Sequence, residues 1–402
     1  MPPTQDAKTA RHAGPIALAA ALQASRQDTL STFAVFERAL EGLIVPQGDT
    51  LNPPLWELGH IGWFQEFWNA RNPQRAAGAK ADPDVCRSTG VRADADALYD
   101  SSRIAHATRW TLPLPDACAT RADLSNQLDG TLSLLHKSAI DDDSLYFFRL
   151  ALMHEDMHHE AALYMAQSLG VAIDDPRWQA TALRGTCDQL AFDGGPWTLG
   201  SGEQGFAFDN ELNEHIVSLP ATHIDSRVLN WAEFLPFVEA GGYDQPQYWS
   251  SGGRAWIASE HAVSPRYTRR VGSNWQQRRH GTWRELNMAQ AACHLTAFEA
   301  EAWCRWAGRR LPTEAEWERA AVDQPGSFEW GHVWEWTASP FLPYLGFVPH
   351  PYRDYSAPWF DSRVALRGAS FMTHTRMRHP RYRNFFTPQR NDVPAGFRTC
   401  RL

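Results

Sequence analysis

The chain has 402 residues, of which 43% are hydrophobic and 21% are charged, a composition typical of a globular protein with two or three domains. Its 46 acidic and 38 basic residues give a net charge of −8, which argues against nucleic-acid binding because that function usually needs a basic excess. No apolar run approaches the roughly 18 residues of a membrane helix, no secretory signal is recognisable, and the six cysteines are scattered, so we expect a cytoplasmic protein with reduced thiols.

The first half of the chain predicts a helical bundle. Apolar residues recur at helical spacing over 15–45, 53–69, 120–139 and 144–169. We expect Asn52 to cap the second of these helices, with Pro53 at its first position. Ser144 is expected to cap the fourth helix and Gly170 to close it. Bundles of this kind place their sites between facing helices.

Two further features divide the chain. The connection over 70–119 is long, and loops of that length are usually functional or disordered, so the segment Leu98–Leu114 is expected to cover a site. After a linker at 170–190, glycine, proline and tryptophan become frequent and apolar runs become short. We expect a loop-rich mixed domain with one clear helix, from Thr296 to about Gly308, followed by a segment at 312–321.

Three histidines form the candidate chemical site. His154 and His158 lie four residues apart in the last predicted helix, so their side chains share one face, a spacing that suits two ligands to one metal. His60 lies in the apolar stripe of the second helix and is expected to face the core. Glu160 sits roughly 200° round the helix from His158, so we expect a structural role for it.

Three neutral imidazoles leave coordination positions open, as a catalytic metal requires. Such a site holds either zinc with an activated water or ferrous iron that binds substrate and oxygen. Ligand type alone does not decide between these two metals.

Motifs in both halves resemble one family. Trp56…Gly59-His60 and His154-x-x-x-His158-x-Glu160 resemble the DinB-type bundle of the ergothioneine-type sulfoxide synthases. The second half resembles the formylglycine-generating-enzyme fold, which is C-type-lectin-like, in Phe298-Glu299-Ala300…Trp303-Cys304, 308–318, Val333-Trp334-Glu335-Trp336, 366–371 and Gly396-Phe397-Arg398. The resemblance implies an α+β protein, with a DinB-like four-helix bundle over 1–185 that supplies the metal ligands and a mixed domain over 186–402 that supplies the substrate pocket.

The resemblance also implies a chemistry. Such enzymes hold Fe(II) through three histidines, here His60, His154 and His158, and use O2 as co-substrate. They place the imidazole of hercynine, which is trimethyl-histidine, at the iron, join a chalcogen to its C2 carbon and oxidise the chalcogen. A quaternary ammonium group favours aromatic faces, so we expect Asn384 and Phe385 to hold the betaine.

One residue role and one exclusion follow from the same resemblance. The synthases use a tyrosine near the iron as proton or hydrogen donor, and Tyr344 is the candidate, with Phe341 as an alternative occupant of that position. Formylglycine-generating enzymes carry active-site cysteines after an Arg-Gly-Gly-Ser segment, where this chain has Thr373 and Arg378. Copper-dependent thiol oxidation is therefore not expected.

Departures from the family pattern bear on the chalcogen donor. Synthases that use γ-glutamylcysteine carry an acidic residue where this chain has Phe386, although Arg390 remains. The loop at 99–110 keeps only Arg103 and Arg109 from an arginine-rich pattern, and carboxylates favour guanidinium partners. We expect Arg390, together with Arg103 or Arg109, to orient the chalcogen donor. These departures resemble the selenoneine-synthase branch, in which the donor is a selenosugar. The competing assignment is a sulfoxide synthase that uses γ-glutamylcysteine or cysteine.

Two other classes of function stay open. A zinc-dependent DinB-type thiol transferase would use the same histidines and need no oxygen. A ligand-binding protein without catalysis could be built on the lectin-like second half.

Overall fold

The computed structural model describes residues 3–402. In the first half of this range the chain forms α1 Pro3–His12, α2 Pro15–Ala39, α3 Pro54–Trp68, α4 Ala95–Tyr99, α5 Ala117–His136 and α6 Asp142–Leu169. The four long helices pack together, α2 and α3 each against both α5 and α6. Leucine and phenylalanine side chains fill the space between them, including Leu22, Leu145 and Phe148. This packing places α3 beside α6, which carry the three candidate histidines.

The predicted helix starts need correction at two places. Helix α3 begins at Pro54 and the residue at its cap position is Pro53, so Asn52 does not cap it. Helix α6 is capped by Asp141, whose carboxylate accepts a hydrogen bond from the backbone of Ser144 over 2.8 Å. Ser144 is therefore already inside the first turn. The predicted end at Gly170 is confirmed, since this residue has the left-handed φ of 76° that favours glycine.

The second half is a mixed domain with four helices in the described chain: α7 Trp231–Glu239, α8 Ser251–Glu260, α9 Ala297–Ala307 and α10 Glu314–Asp323. The helix predicted from Thr296 is confirmed, with Thr296 and Glu299 forming a capping box. The expectation of one clear helix was wrong. Pro236 within α7 and the paired glycines of α8 weaken the helical pattern, whereas the caps Asn230 and Ser250 start both helices.

Thirteen short strands surround these helices in the described residues. They are β1 Gln189–Phe192, β2 Gly195–Leu199, β3 His215–Leu219, β4 Thr222–Asp225, β5 Thr268–Val271, β6 Asn274–Arg279, β7 Thr282–Glu285, β8 Arg309–Arg310, β9 Trp334–Pro340, β10 Val364–Gly368, β11 Asn384–Phe386, β12 Ala395–Gly396 and β13 Cys400–Arg401. Two four-stranded sheets have the orders β1-β4-β13-β8 and β11-β10-β9-β12. A hairpin β2-β3 and a three-stranded sheet β5-β6-β7 stand beside them.

The two halves share a polar interface on α6. The carboxylate of Glu160 accepts hydrogen bonds from Trp334, Ser370 and Thr373 at 2.7–2.8 Å. On the neighbouring turn, Asp156 pairs with Arg376 over 2.8 Å. These contacts give Glu160 the structural role expected for it and fix the second half against the helix that carries two of the histidines. No helix in the described range is long and apolar enough to cross a bilayer.

Candidate metal centre

The three histidines converge between α3 and α6. One ligand atom from each of His60, His154 and His158 lies within 4.8 Å of the other two. The ring centroids are 4.4 Å apart for His154 and His158, and 4.9 Å apart for His60 and His158. The helical spacing that predicted two ligands on one face therefore brings both imidazoles toward the third on the neighbouring helix.

His60 is held by stacking and by one hydrogen bond. Its ring stacks on Trp56 at 4.8 Å, one helical turn earlier, and its Nδ1 donates to the carbonyl of Tyr99 over 2.8 Å. Burial lowers the pKa of His60 to about 3, and the nearby His158 lowers it further. The imidazole is therefore neutral, with Nε2 available as a ligand atom.

The segment Leu98–Leu114 lies against this part of α3. Its first carbonyl accepts a hydrogen bond from the indole of Trp56 over 2.8 Å. Gly59 allows the close approach, because a Cβ there would lie 2.3 Å from the ring of Tyr99. The long connection thus orients His60 through the Tyr99 carbonyl.

His158 is held by a chain of polar side chains. Its Nδ1 lies 2.5 Å from Oε2 of Glu57, and the other carboxylate oxygen accepts a hydrogen bond from Asn52. Asn52 in turn accepts from Arg109 over 2.9 Å, and the Arg109 guanidinium lies 3.9 Å from the ring of Trp56. Burial alone would raise the pKa of Glu57, but His158 outweighs it and lowers that pKa to about 2. Glu57 is therefore a carboxylate that fixes the tautomer and orientation of His158.

Sequence reasoning missed Glu57, although a signal was present. It lies three residues before His60, so it shares that helical face, and a carboxylate beside a metal-binding imidazole is the usual partner of the second ring nitrogen. Arg109 is joined to the candidate metal centre through Asn52, and its predicted contact with the chalcogen donor stays a prediction.

His154 has two ring nitrogens without a hydrogen-bond partner in the described part of the chain. Its side chain is 2% exposed and stacks on Phe64 at 3.5 Å. Leaving buried polar atoms unpaired costs about 1–3 kcal/mol each. A metal ion bound beside His60 and His158 would satisfy one of these nitrogens, so the donor set fits a metal centre with three neutral imidazoles.

A group of tyrosines lies beside the histidines. The ring of Tyr352 is 6.1 Å from that of His154 and 4.9 Å from that of Phe64. Tyr355 follows at 6.0 Å from Tyr352, and its hydroxyl lies 3.0 Å from that of Tyr382. Burial raises the pKa of all three phenols, so they are neutral hydrogen-bond donors.

The tyrosine group reaches the predicted betaine residues. The ring of Phe385 is 6.1 Å from that of Tyr355, on the short strand β11. Asn384 precedes it, and its side-chain oxygen accepts from the backbone of Phe385 over 2.8 Å, which leaves its NH2 group as a donor. The rings of Tyr352, Tyr355 and Phe385 thus form an aromatic wall beside the candidate metal centre, and Asn384 lies next to it.

Tyr344 occupies a different cluster. Its ring lies 3.9 Å from the guanidinium of Arg383, and its hydroxyl is 3.4 Å from Glu314. Burial raises its pKa above the ordinary value. No contact among the described residues joins Tyr344 to the three histidines, so the structure does not bring it together with them. Its predicted role stays a prediction, and Tyr352 is the tyrosine beside His154.

The predicted donor-binding residues separate into two groups. Arg390 lines a cleft that also includes Asn52, Glu57 and Tyr164. Its guanidinium pairs with Asp392 at 2.5 and 2.9 Å and lies 5.1 Å from the ring of Phe386. The side chain of Arg103, in contrast, is 81% exposed and pairs with Asp100, so it does not join this cleft.

Comparison with known proteins places the chain in a family. It is 30% identical to the hercynine oxygenase of Mycolicibacterium smegmatis over 87% of this chain and 90% of that one, and equally identical to the hercynine oxygenase of Mycobacterium tuberculosis over the same shares. This chain belongs to the hercynine oxygenase family. Its membership confirms the predicted relationship to the ergothioneine-type sulfoxide synthases, and the selenoneine branch stays a prediction.

The second half of this member of the hercynine oxygenase family is also similar to sulfatase-modifying enzymes. Residues 179–332 match the sulfatase-modifying factor enzyme 1-like domain. The formylglycine-generating enzyme of Streptomyces coelicolor is 32% identical over 34% of this chain and 48% of its own length. The predicted formylglycine-generating-enzyme-like character of the second half is thereby confirmed, and the DinB-type character of the helical half stays a prediction.

Proposed function

We propose that this protein is an iron-dependent oxygenase that joins a chalcogen to C2 of the hercynine imidazole. The observation that carries the proposal is the convergence of His60, His154 and His158, in a chain related to hercynine oxygenases along most of its length. Among the described residues, neither ring nitrogen of His154 has a hydrogen-bond partner. Ferrous iron held by three imidazoles would supply open positions for oxygen and for the substrate imidazole. Zinc would fit the same ligands, and the oxygenase relatives favour iron.

The chain's own residues would prepare the centre. Glu57 and the Tyr99 carbonyl accept from Nδ1 of His158 and His60, so both rings present Nε2 to the metal. Tyr352 lies beside His154 and would act as the proton donor near the reacting imidazole. Its raised pKa keeps the phenol protonated until a stronger base forms.

Hercynine binding is supported by the aromatic wall. The trimethylammonium group would contact ring faces among Tyr352, Tyr355 and Phe385, because aromatic faces attract quaternary ammonium ions. The free NH2 of Asn384 would donate to the betaine carboxylate. Binding at both ends holds C2 of the imidazole in one place, which is the positioning that a two-substrate reaction needs.

For the chalcogen donor, we propose a selenosugar, with γ-glutamylcysteine or cysteine as the second candidate. Arg390 is already paired with Asp392, so its charge is largely neutralised, and its guanidinium also lies 5.1 Å from the ring of Phe386, where the family has an acidic residue. Such a cleft suits an uncharged sugar better than a donor with several carboxylates. Membership in the ergothioneine-type family favours the sulfur donors.

One experiment tests both the oxygenase reaction and the identity of the chalcogen donor. The protein is loaded anaerobically with Fe(II) and incubated with hercynine, in air, with a selenosugar, cysteine and γ-glutamylcysteine at equal concentration, and the products are weighed by mass spectrometry. A chalcogen adduct of hercynine that needs both Fe(II) and oxygen supports the oxygenase, and its mass names the donor. Turnover with zinc in the absence of oxygen would contradict the oxygenase and support a thiol transferase. Sugar binding without any consumption of hercynine would support a binding protein.

A further inference from the structure

A second enclosed chamber lies away from the histidine centre, between the linker after α6 and the second half. Gln179, Thr181, Arg279, His280 and His294 line it, and the space open to the centre of a water molecule inside it is about 30 Å³. About 10–15 Å³ of such space holds one water molecule, so the chamber has room for a small ion. His60, His154 and His158 do not line the chamber, so the proposed oxygenase reaction leaves it without a role.

The chamber contains an arginine without an acidic partner. The guanidinium of Arg279 donates to side-chain oxygens of two amides, Gln277 over 2.9 Å and Gln290. No carboxylate among residues 3–402 forms an ion pair with it. A half-buried cation without a counter-charge is unfavourable, and burial accordingly lowers the pKa of Arg279. An anion in the chamber would relieve this cost.

Two imidazoles in the chamber are hydrogen-bond acceptors. Nδ1 of His294 and Nδ1 of His280 have no hydrogen-bond partner in the described structure, and His294 is 4% exposed. The His294 ring bonds the backbone of Asn391 and the His280 ring bonds that of Val171. Those backbone bonds use the N–H group of each neutral ring, so the free Nδ1 atoms accept and cannot donate. A ligand must therefore bring its own hydrogen atoms to them.

Backbone conformation and hydrogen bonds to α6 fix the positions of the chamber histidines. Both His280 and His294 have left-handed backbone conformations, with φ of 44° and 62°, which are costly for residues other than glycine. Gln167 of α6 fixes the turn beside His280 by accepting from the His280 backbone over 2.8 Å and donating to the Arg278 carbonyl over 2.9 Å. Both acceptors thus belong to the second half of the chain, and the turn that carries His280 is tied to α6.

We propose that this chamber is a binding site for a protonated phosphate group. Oxygen atoms of the phosphate accept from Arg279, while its P–OH groups donate to Nδ1 of His294 and His280. Dihydrogen phosphate, a major form of inorganic phosphate near neutral pH, carries two P–OH groups, whereas sulfate of similar size and shape carries none. The two free acceptors therefore select phosphate over sulfate.

The surroundings favour entry of an anion. A neighbouring cleft shares Arg279 and His280 with the chamber and adds Arg284, with Asp174 as its single acidic residue among those described. Between Arg266 and Arg284 the chain carries six arginines and no acidic residue, although its net charge is −8. A local concentration of positive charge attracts anions toward an opening.

Calorimetric titration of the full-length protein with inorganic phosphate, sulfate and glycerol phosphate tests the proposal. Phosphate is expected to bind at least about tenfold more tightly than sulfate, because sulfate leaves both imidazole acceptors unpaired. Binding of inorganic phosphate alone would identify the free ion as the ligand. Tighter binding of glycerol phosphate would identify a phosphate monoester, in which one P–OH group fills one acceptor and a hydroxyl group of the alcohol fills the other. Equal binding of phosphate and sulfate, or no binding of either, would overturn the proposal.

Two variants and a control locate the site. Arg279→Gln is expected to weaken phosphate binding about tenfold or more, while Arg270→Gln removes an equal charge from the exposed face of β5 and is expected to leave binding unchanged. His294→Asn keeps a residue that tolerates the left-handed conformation and adds an N–H donor, so the preference for phosphate over sulfate should shrink. Equal losses of phosphate affinity in Arg279→Gln and Arg270→Gln would show a general effect of positive charge and would refute the chamber as the binding site.

Discussion

Glu57 and His158 form a carboxylate–imidazole pair across two helices, with Oε2 of Glu57 2.5 Å from Nδ1 of His158. Helix α3 also supplies His60, so a single turn of this helix provides one candidate ligand and the residue that orients another. Asn52 accepts from Arg109 and donates to Glu57, which extends the pair to the covering loop. The metal centre is therefore fixed by contacts on both sides of α3.

Substitution of Glu57 by Gln tests this support. The neutral amide accepts a weaker hydrogen bond, so His158 is less firmly oriented, and metal affinity should fall about 10–100-fold. Titration with Co(II), followed by its visible spectrum, measures the affinity directly. The exposed Glu41→Gln serves as the control. Unchanged affinity in Glu57→Gln would show that the pair does not hold the metal ligand.

The unpaired nitrogens of His154 lead to a second prediction. His154→Leu should abolish metal binding and turnover, yet the metal-free variant should be at least as stable as the metal-free parent, because two unpaired buried nitrogens are removed. Urea unfolding in the presence of a chelator measures the free energy of unfolding, with the exposed His136→Leu for comparison. A loss of several kcal/mol in His154→Leu would mean that this histidine has a packing role.

Local patterns in the sequence predicted that His60, His154 and His158 would converge, and their role as metal ligands stays a prediction. The spacing of His154 and His158 fixes their common face, and the apolar stripe around His60 fixes its direction, so these three positions depend on helix geometry alone. The long helices were found for the same reason, although two caps were misplaced. The amide of Asn52 bonds the Glu57 side chain and Pro53 takes the cap position, whereas Asp141 caps the helix predicted to start at Ser144.

Contacts between segments far apart in the sequence could not be predicted from such local patterns. Tyr352 lies beside His154 because a loop of the second half folds over the bundle, and no local pattern distinguishes it from Tyr344. The pairing of Arg390 with Asp392 and the exposure of Arg103 likewise depend on side-chain packing. The family-like motifs indicated these residues by their type. Only the folded structure shows which of them are in contact.

Glu160 gives a prediction about the joint between the two halves. One of its carboxylate oxygens accepts from Trp334, Ser370 and Thr373. Glu160→Ala leaves these buried donors unpaired and should lower the free energy of unfolding by about 2–4 kcal/mol. Glu160→Gln retains an acceptor oxygen of the same shape and should lose much less, as chemical denaturation of both variants will show. Equal losses would mean that the charge, and not the acceptor, matters.

Stability should depend on pH through His294. Burial, assisted by the positive charge of Arg266, lowers the pKa of His294 from its ordinary value of 6.5 to about 4. As the pH falls from 6.5 toward 4, the unfolded chain therefore takes up a proton before the folded protein does, and stability falls by at most about 1.4 kcal/mol per pH unit from this group. His294→Asn should show a shallower decline over this window in phosphate-free buffer. An unchanged slope would contradict the depressed pKa.

Substitutions of Tyr352 and Tyr344 are expected to differ in their effect on turnover, because Tyr352 is the proposed proton donor. Tyr352→Phe removes the hydroxyl from the ring that lies 6.1 Å from that of His154 while keeping the ring contacts with Phe64, so product formation from hercynine should fall about 10²-fold or more at unchanged metal affinity. Tyr344→Phe removes only a hydroxyl 3.4 Å from Glu314, so turnover should stay near that of the parent. Measuring kcat and KM for hercynine separates the two, because loss of a proton donor lowers kcat and loss of binding raises KM. A large loss of kcat in Tyr344→Phe with none in Tyr352→Phe would assign the donor to Tyr344.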